Sequence, residues 1–307
     1  MIRIATRQSP LAMWQARHVE ALLKKAHPGM EIELVKIVTQ GDKILDRPLA
    51  KIGGKGLFLK ELEVALLNDE ADLAVHSMKD VPADMPDGLV LDVVLERANP
   101  YDALVCREYA SLEELPKGSV VGTSSLRRQS QLLALRPDIR VADLRGNVGT
   151  RLSKLDEGQY DAIILACAGL ERLDMHDRIT QQLDGPGWLP AATQGIIGLQ
   201  YRSNDERVRQ WVGPLADETA GVVARAERAV ARVLEATCQV PLAAHALVEG
   251  SEPDSMTVRL DALVATPDGR KVIKASGQSP AADANALGES VAEELLAKGA
   301  RQVIEAL

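Results

Sequence analysis

Six arginines, Arg127, Arg128, Arg136, Arg140, Arg145 and Arg151, fall within 25 residues of a chain whose formal charge is −8. Four of them stand where an apolar run gives way to a helical pattern: Arg127 and Arg128 in VGTSSLRRQSQLLA, Arg145 and Arg151 in LRGNVGTRLSKL. The first N–H groups of a helix lack partners, and the macrodipole favours negative charge there. Guanidinium forks added at such corners suit several carboxylates or phosphates at once. Ser124, Ser125 and the stretch Asn147 to Thr150 supply further polar groups at the helix caps. The chemistry implied is the binding of a polyanion. Arg136 and Arg140 flank a turn at Pro137 and read instead as surface residues.

A second group is HSMKDVP, residues 76–82. His76, Ser77, Lys79 and Asp80 end a nearly continuous apolar run, at the carboxyl end of a buried strand, where α/β sheets place their sites. Two readings stay open. One is a capped strand end with a Lys–Asp surface pair, which contributes little. The other is a carboxylate that steadies a developing cation or relays a proton while Lys79 holds an anion. A third group, AKIGGKGLFLKE at 50–61, interleaves glycines with Lys51 and Lys55 and carries Phe58, the one phenylalanine of the chain. It lacks the GK[ST] ending of a P-loop and reads either as a mobile lid or as an exposed loop capping a helix. Of three cysteines, Cys106 and Cys167 lie inside apparent strands and fit inert packing. Cys238, in EATCQVP, follows a helix and precedes Gln-Val-Pro, in a loop where a thiol can be reached and alkylated.

The elements that must position these residues alternate in the first half. Ile2 to Thr6 reads as a strand, and Ser9 with Pro10 opens a helix whose Val19, Leu22, Leu23 and Ala26 share a face. Strands follow at 31–38, 71–78 and 89–95, with a helix from about Lys60 to Asn68. The pattern then restarts: DALVC, SVVGTSS, IRVADLRG and YDAIILACAGL read as strands, with helices over 125–135 and 148–157. Such alternation predicts parallel sheets with crossover helices. ERANPYD at 96–102 and LPAATQG at 189–195 read as crossings between two α/β domains with a cleft between them. The expected division is a discontinuous domain 1 (1–95 and 196–216), domain 2 (101–189) and a small α+β domain 3 (217–307). The last holds helices over 218–235 and 284–297 and a β-hairpin over 257–276 around ATPDG.

Composition narrows the function. Apolar residues at 46% and charged residues at 26% match an ordinary globular protein. The acidic balance and only 3% aromatic residues argue against nucleic acid, which needs cationic surface and stacking platforms. No apolar stretch has the length of a membrane span, and MIRIATRQSP has no signal-peptide core. With cysteines too few for a disulfide framework, the expected location is the cytoplasm. Five scattered histidines make no metal-ligand grouping, so no metal is expected.

RIATRQSPLA, GGKGLF, KELE, AVHSMKD, VGTSSLRRQ, LRGNVGTRLSKLD and CQVP occur in this order across almost the whole chain. In these motifs the sequence resembles the porphobilinogen deaminases of tetrapyrrole biosynthesis. The resemblance implies three domains, the first two built like the halves of a periplasmic-binding-protein-like α/β fold; a monomer is the expected state. It implies a dipyrromethane cofactor, made from substrate and held by a thioether to Cys238. Asp80 would be the catalytic carboxylate, acting at the pyrrole nitrogens and the cationic intermediate. Lys79, Ser125, Arg127, Arg128 and Arg145 would hold the cofactor's acetates and propionates. Arg7 and Arg151 would bind those of the incoming porphobilinogen, with Ser77 and Arg172 in the same group. Lys51, Lys55 and Phe58 would belong to a mobile loop. The reaction implied is the deaminative condensation of four porphobilinogen units and hydrolytic release of the linear tetrapyrrole. The alternative is a non-catalytic two-lobed protein for small anions, which shares the arginines but has no use for a third domain offering a cysteine. The chain departs from the family pattern twice. Ala236-Thr237 precedes the cysteine where Gly-Gly is common, and Thr193-Gln194-Gly195 replaces Gly-Gln-Gly. A β-branched residue takes a positive φ only at a cost.

Overall fold

The computed structural model describes residues 1–43, 59–185, 187–236, 239–250 and 255–307. In chain order, the first stretch holds β1 (Ile2–Arg7), α1 (Pro10–Ala26), β2 (Ile32–Ile37), α2 (Gln40–Lys43), α3 (Lys60–Leu67), β3 (Leu73–Ser77) and β4 (Leu89–Val94). Next come β5 (Asp102–Cys106), β6 (Val120–Gly122), α4 (Leu126–Leu135), β7 (Arg140–Ala142), α5 (Val148–Asp156), β8 (Ala162–Ala166), α6 (Cys167–Glu171) and β9 (Gln181–Leu183). The rest is β10 (Ile197–Arg202), α7 (Glu206–Val212), α8 (Glu218–Val233), β11 (Leu242–Glu249), β12 (Thr257–Ala265), β13 (Val272–Pro280), α9 (Ala284–Ala297) and α10 (Ala300–Glu305). The chain divides into two compact units, residues 1–98 with 195–221, and residues 99–194 with 222–307.

The first unit is built on a five-stranded sheet in the order β2-β1-β3-β10-β4. β1 runs parallel to β2 and β3, but β10 pairs antiparallel with both β3 and β4. The sheet is therefore mixed, not parallel as the alternation predicts. The reason is that β10 enters from a distant part of the chain and needs no crossover helix to reach its neighbours. Helix α1 begins where the sequence signals it: the Ser9 hydroxyl accepts from the Ala12 N–H at 3.3 Å, and Pro10 takes the first turn. Its core face is Gln15, Ala16, Val19 and Leu23, with Leu22 half-buried; Ala26 is exposed and not on that face. Ile2, Ile4, Leu73 and Val75 pack on the α1 side, while Ala5, Ala74 and Leu89 pack with Leu62, Ala65 and Leu66 of α3.

The second unit holds a five-stranded sheet in the order β7-β6-β8-β5-β9. β6 lies parallel to β7 and β8, and β5 antiparallel to β8 and β9. Leu104, Val121 and Ile164 face one apolar cluster; Ala103, Val105 and Ile163 face another. The strand expected through ACAGL stops at Ala166, and Cys167 opens the short helix α6. The same unit contains a three-stranded antiparallel sheet, β11-β12-β13, on which α9 packs. Strand β11 and helix α10 are additions to the elements read from sequence. The turn between β12 and β13 reaches α4: the Gln129 side chain donates to the Pro267 carbonyl at 3.2 Å. Gly269, at φ +71°, lies so close that a Cβ there would stand 2.6 Å from the Ser130 carbonyl oxygen and 2.7 Å from Leu133. The buried Glu227 carboxylate of α8 accepts the backbone N–H of Ala246 at 2.6 Å and also that of Thr193. Thr193 sits at φ +59°, the left-handed conformation natural to glycine.

Candidate active site

In the first unit, β3 delivers its last residues into a hollow. Buried Leu73 to Val75 carry the strand out of the core, Ser77 ends it, and a single 3-10 turn, Met78–Asp80, follows. Arg7 at the end of β1, Gln15 of α1, His76, Ser77, Leu59 and Asp80 line a small open hollow. Gln15 donates to the Ser77 hydroxyl at 2.8 Å. His76 donates through Nε2 to the Gln200 side-chain oxygen at 2.8 Å. Burial, with the positive charge of Arg7 working in the same direction, pushes the imidazole down to about 4, against the hydrogen bond to Gln200. His76 is thus neutral near pH 7 and holds its neighbours in place. Lys79 and Asp80 are both exposed, one turn beyond the strand.

In the second unit the two arginine corners are tied to each other. The Ser124 hydroxyl donates to the Leu144 carbonyl at 3.1 Å and accepts the Leu144 N–H at 3.0 Å. Ser125 caps α4, accepting from the Arg128 N–H at 3.4 Å, and Asn147 caps α5, accepting from the Thr150 N–H at 2.9 Å. Arg127 and Arg128 do not stand open at the corner as the pattern suggests. Both are buried and converge on the buried carboxylate of Asp102. Arg145 is half-buried, and its Nε is enclosed without a hydrogen-bond partner among the described residues. Arg151 donates through Nε to the Gly146 carbonyl at 2.8 Å. Arg172 follows α6, and burial, opposed by the Glu171 charge, lowers it to about 10. Arg136 is a structural staple, donating to the carbonyls of Leu112, Glu113 and Leu115 and to Asp138.

Cys167 is buried, which pushes its thiol up to about 12, and the half-buried Cys106 donates to the Asp161 carbonyl at 3.2 Å. The Cys167 thiol is thus held protonated and unreactive. Cys238, Thr237, Lys51, Lys55 and Phe58 lie outside the described residues. The sequence reading missed Gln15, Asp102, Trp188 and Gln194. The one signal for Asp102 was an acid opening an apolar strand, in YDALVC, and only a tandem arginine needing a counter-ion could have flagged it.

These donor sets fit a ligand bearing several carboxylates. The enclosed Arg145 Nε awaits an acceptor, and Arg127 and Arg128 share one carboxylate between two charges. Among the described residues no cluster of His, Cys, Asp or Glu could hold a metal ion, and no helix is long and apolar enough to cross a membrane. Mixed α/β sheets that bring guanidinium, hydroxyl and carboxylate groups to their strand ends suit the binding of polycarboxylates. Residues 2–210 match the family model for "Porphobilinogen deaminase, dipyromethane cofactor binding domain", and residues 222–297 that for "Porphobilinogen deaminase, C-terminal domain". The chain belongs to the porphobilinogen deaminase family. It is a transferase that condenses four porphobilinogen units, with loss of ammonia, onto a dipyrromethane primer and releases hydroxymethylbilane by hydrolysis.

Solved structures similar to the chain include the VFT2 domain of BvgS from Bordetella pertussis, at 16% identity, covering 73% of this chain and 91% of that one, with a TM-score of 0.44. The periplasmic aliphatic sulphonate binding protein SsuA from Escherichia coli is 17% identical over 76% of this chain and 70% of its own, TM-score 0.41. A nutrient binding protein from Burkholderia cenocepacia, bound to methionine, is 13% identical over 70% and 90%, TM-score 0.42.

Proposed function

We propose that Asp80 is the catalytic carboxylate of this transferase and that Cys238 carries the primer through a thioether. The observation that supports this reading best is the hollow where Arg7, Ser77 and Asp80 meet at the end of β3. Porphobilinogen brings two carboxylates and an aminomethyl group. Arg7 and Arg151 bind its acetate and propionate, with Ser77 and Arg172 assisting. As ammonia leaves, positive charge spreads onto the pyrrole nitrogen, and an ionised carboxylate beside it lowers the barrier electrostatically. Among the described residues that line the hollow, neutral His76 and polar Gln15 included, Asp80 is the one carboxylate. When bound, the dipyrromethane primer would supply the pyrrole carbon for the first bond, and the terminal pyrrole of the lengthening chain would supply it for each later one. Lys79, Ser125, Arg127, Arg128 and Arg145 hold its carboxylates, and each added unit brings two more charges for guanidiniums to receive.

The protein works as a cytoplasmic monomer, without metal or nucleic acid. Its three domains are 1–95 with 196–216, 101–189, and 217–307, a division supported by three separate sheets. Intact-mass measurement of purified protein tests the assignment. The wild type should carry an adduct of two linked pyrrole units, absent from Cys238→Ser. A wild type that stays unmodified and inactive after incubation with porphobilinogen would overturn it.

A further inference from the structure

Asp102 opens β5 and is wholly enclosed, at 0% exposure. Arg127 meets it end-on, Nη1 to Oδ2 at 2.7 Å and Nη2 to Oδ1 at 3.2 Å. Arg128 meets it side-on, with Nε and Nη2 both donating to Oδ1 at 3.0 and 2.7 Å. Two neutral donors complete the shell: Trp188 Nε1 to Oδ2 at 2.9 Å and Gln194 Nε2 to Oδ1 at 3.0 Å. Arg127 also donates to the Leu189 carbonyl and Arg128 to that of Ile164, each at 2.8 Å. A guanidinium has five N–H groups, and each arginine uses three in these contacts.

The charges do not balance. Two guanidiniums, 5% and 6% exposed, face a single carboxylate, and among the described residues no second carboxylate pairs with either. An enclosed, uncompensated charge is costly, so the cluster as it stands favours one more anion. Burial works against the charge on Arg127, the neighbouring Arg128 adds to that, and Asp102 opposes both. Burial would likewise raise Asp102, but the two guanidiniums prevail and hold it well below the usual carboxylate range. The carboxylate is ionised, and the surplus charge lies on the arginines.

We propose that Asp102 is a positioning residue for the reaction: it draws two like-charged guanidiniums side by side, fixes their planes, and leaves one net positive charge with unused N–H groups for a single carboxylate of the growing pyrrole chain. This rests on the assignment of Arg127 and Arg128 to the primer. Without Asp102 the two cations repel, and their forks no longer share a fixed geometry. With it, the cluster is preorganised and accepts one carboxylate without rearranging.

The test compares the loaded enzyme with Asp102→Asn, Arg128→Lys and the double variant, each corrected for adduct occupancy by intact mass. Asp102→Asn should lower kcat per loaded molecule by about tenfold or more, the loss typical of a supporting contact. KM for porphobilinogen should stay within about twofold, since the incoming unit is held elsewhere. The double variant should be little worse than Arg128→Lys alone, because both lesions act on one unit. A spectroscopic readout independent of turnover is the side-chain Nε–H signal of Arg127, assigned with Arg127→Lys. This group does not touch Asp102, yet its protection from solvent exchange in the loaded protein should fall in Asp102→Asn. Unchanged kcat, losses that multiply independently, a raised KM with kcat held, or unaltered Nε–H protection would each overturn the role of Asp102. If Arg128→Lys itself loads and turns over normally, the arginine assignment fails instead. Should Asp102→Asn not fold, Trp188→Phe removes only a neutral donor from the same oxygen. A kcat reduced about threefold at constant KM then supports the role, as a weakened second contact should, and an unchanged kcat refutes it.

Discussion

Asp80 lines its hollow from one 3-10 turn, in company with a neutral imidazole and Arg7. If its charge is what the reaction uses, Asp80→Asn keeps the shape and the covalent adduct but loses turnover by roughly a hundredfold, the scale set by removing one preorganised electrostatic contact. Near-normal turnover in a fully loaded Asp80→Asn sample would remove it from the chemistry. His76 makes a separate prediction about stability. Its folded value of about 4 lies below the ordinary 6.5, so between those pH values the unfolded chain takes up a proton that the native one does not. Stability is therefore lost as pH falls through this window, by up to about 3 kcal/mol from this group, and fully present above it. Urea midpoints at pH 7 and pH 4.5 should show a larger loss for the wild type than for His76→Gln; equal losses would contradict the buried neutral histidine. At this scale the sequence was informative wherever a motif kept its residues local. HSMKDVP and the two capped arginine corners are short segments whose chemistry can be read from neighbours. Asp102 escaped because its partners lie 25, 26, 86 and 92 residues away, and an acid at a strand end looks like any cap.

Helices α1, α4 and α5 were legible for a physical reason: each is capped by a side chain at its own N-terminus. Ser9, Ser125 and Asn147 each accept a backbone N–H three residues on, and that spacing is visible without a structure. Strand direction was not. Whether a strand runs with or against its neighbour depends on where the chain comes from, and β5 and β10 both run against. Nor could the sequence foretell that the Thr266-to-Lys271 turn would serve as a wedge. ATPDG marks a hairpin, but the need for glycine at 269 comes as much from the α4 backbone pressed against it as from its positive φ. Gly269→Ala should therefore cost about 2–4 kcal/mol, combining left-handed strain with overpacking against atoms that cannot rotate away. Chemical denaturation would check this; a loss below about 0.5 kcal/mol, the scale of an ordinary surface change, would show the contact to be slack.

On the scale of the whole molecule, the family was legible because its motifs recur in order, while the pairing that closes the first sheet was not. Strand β10 lies between β3 and β4, and among the described residues β4 has no other partner in the sheet. Everything from residue 99 to residue 194 intervenes between β4 and the arrival of that strand. A ribosome releasing this chain thus presents β3 and β4 with bare hydrogen-bonding edges until the opposite unit's sheet has already been made. Such edges invite pairing with other chains. A fragment of residues 1–98 should form aggregates on expression and recover a soluble, protected sheet only when residues 195–221 are supplied in trans or by fusion; a stable monomeric 1–98 would contradict this. The enzyme's birth is therefore obligatorily late, its oldest segment waiting, half finished, for one of its younger ones.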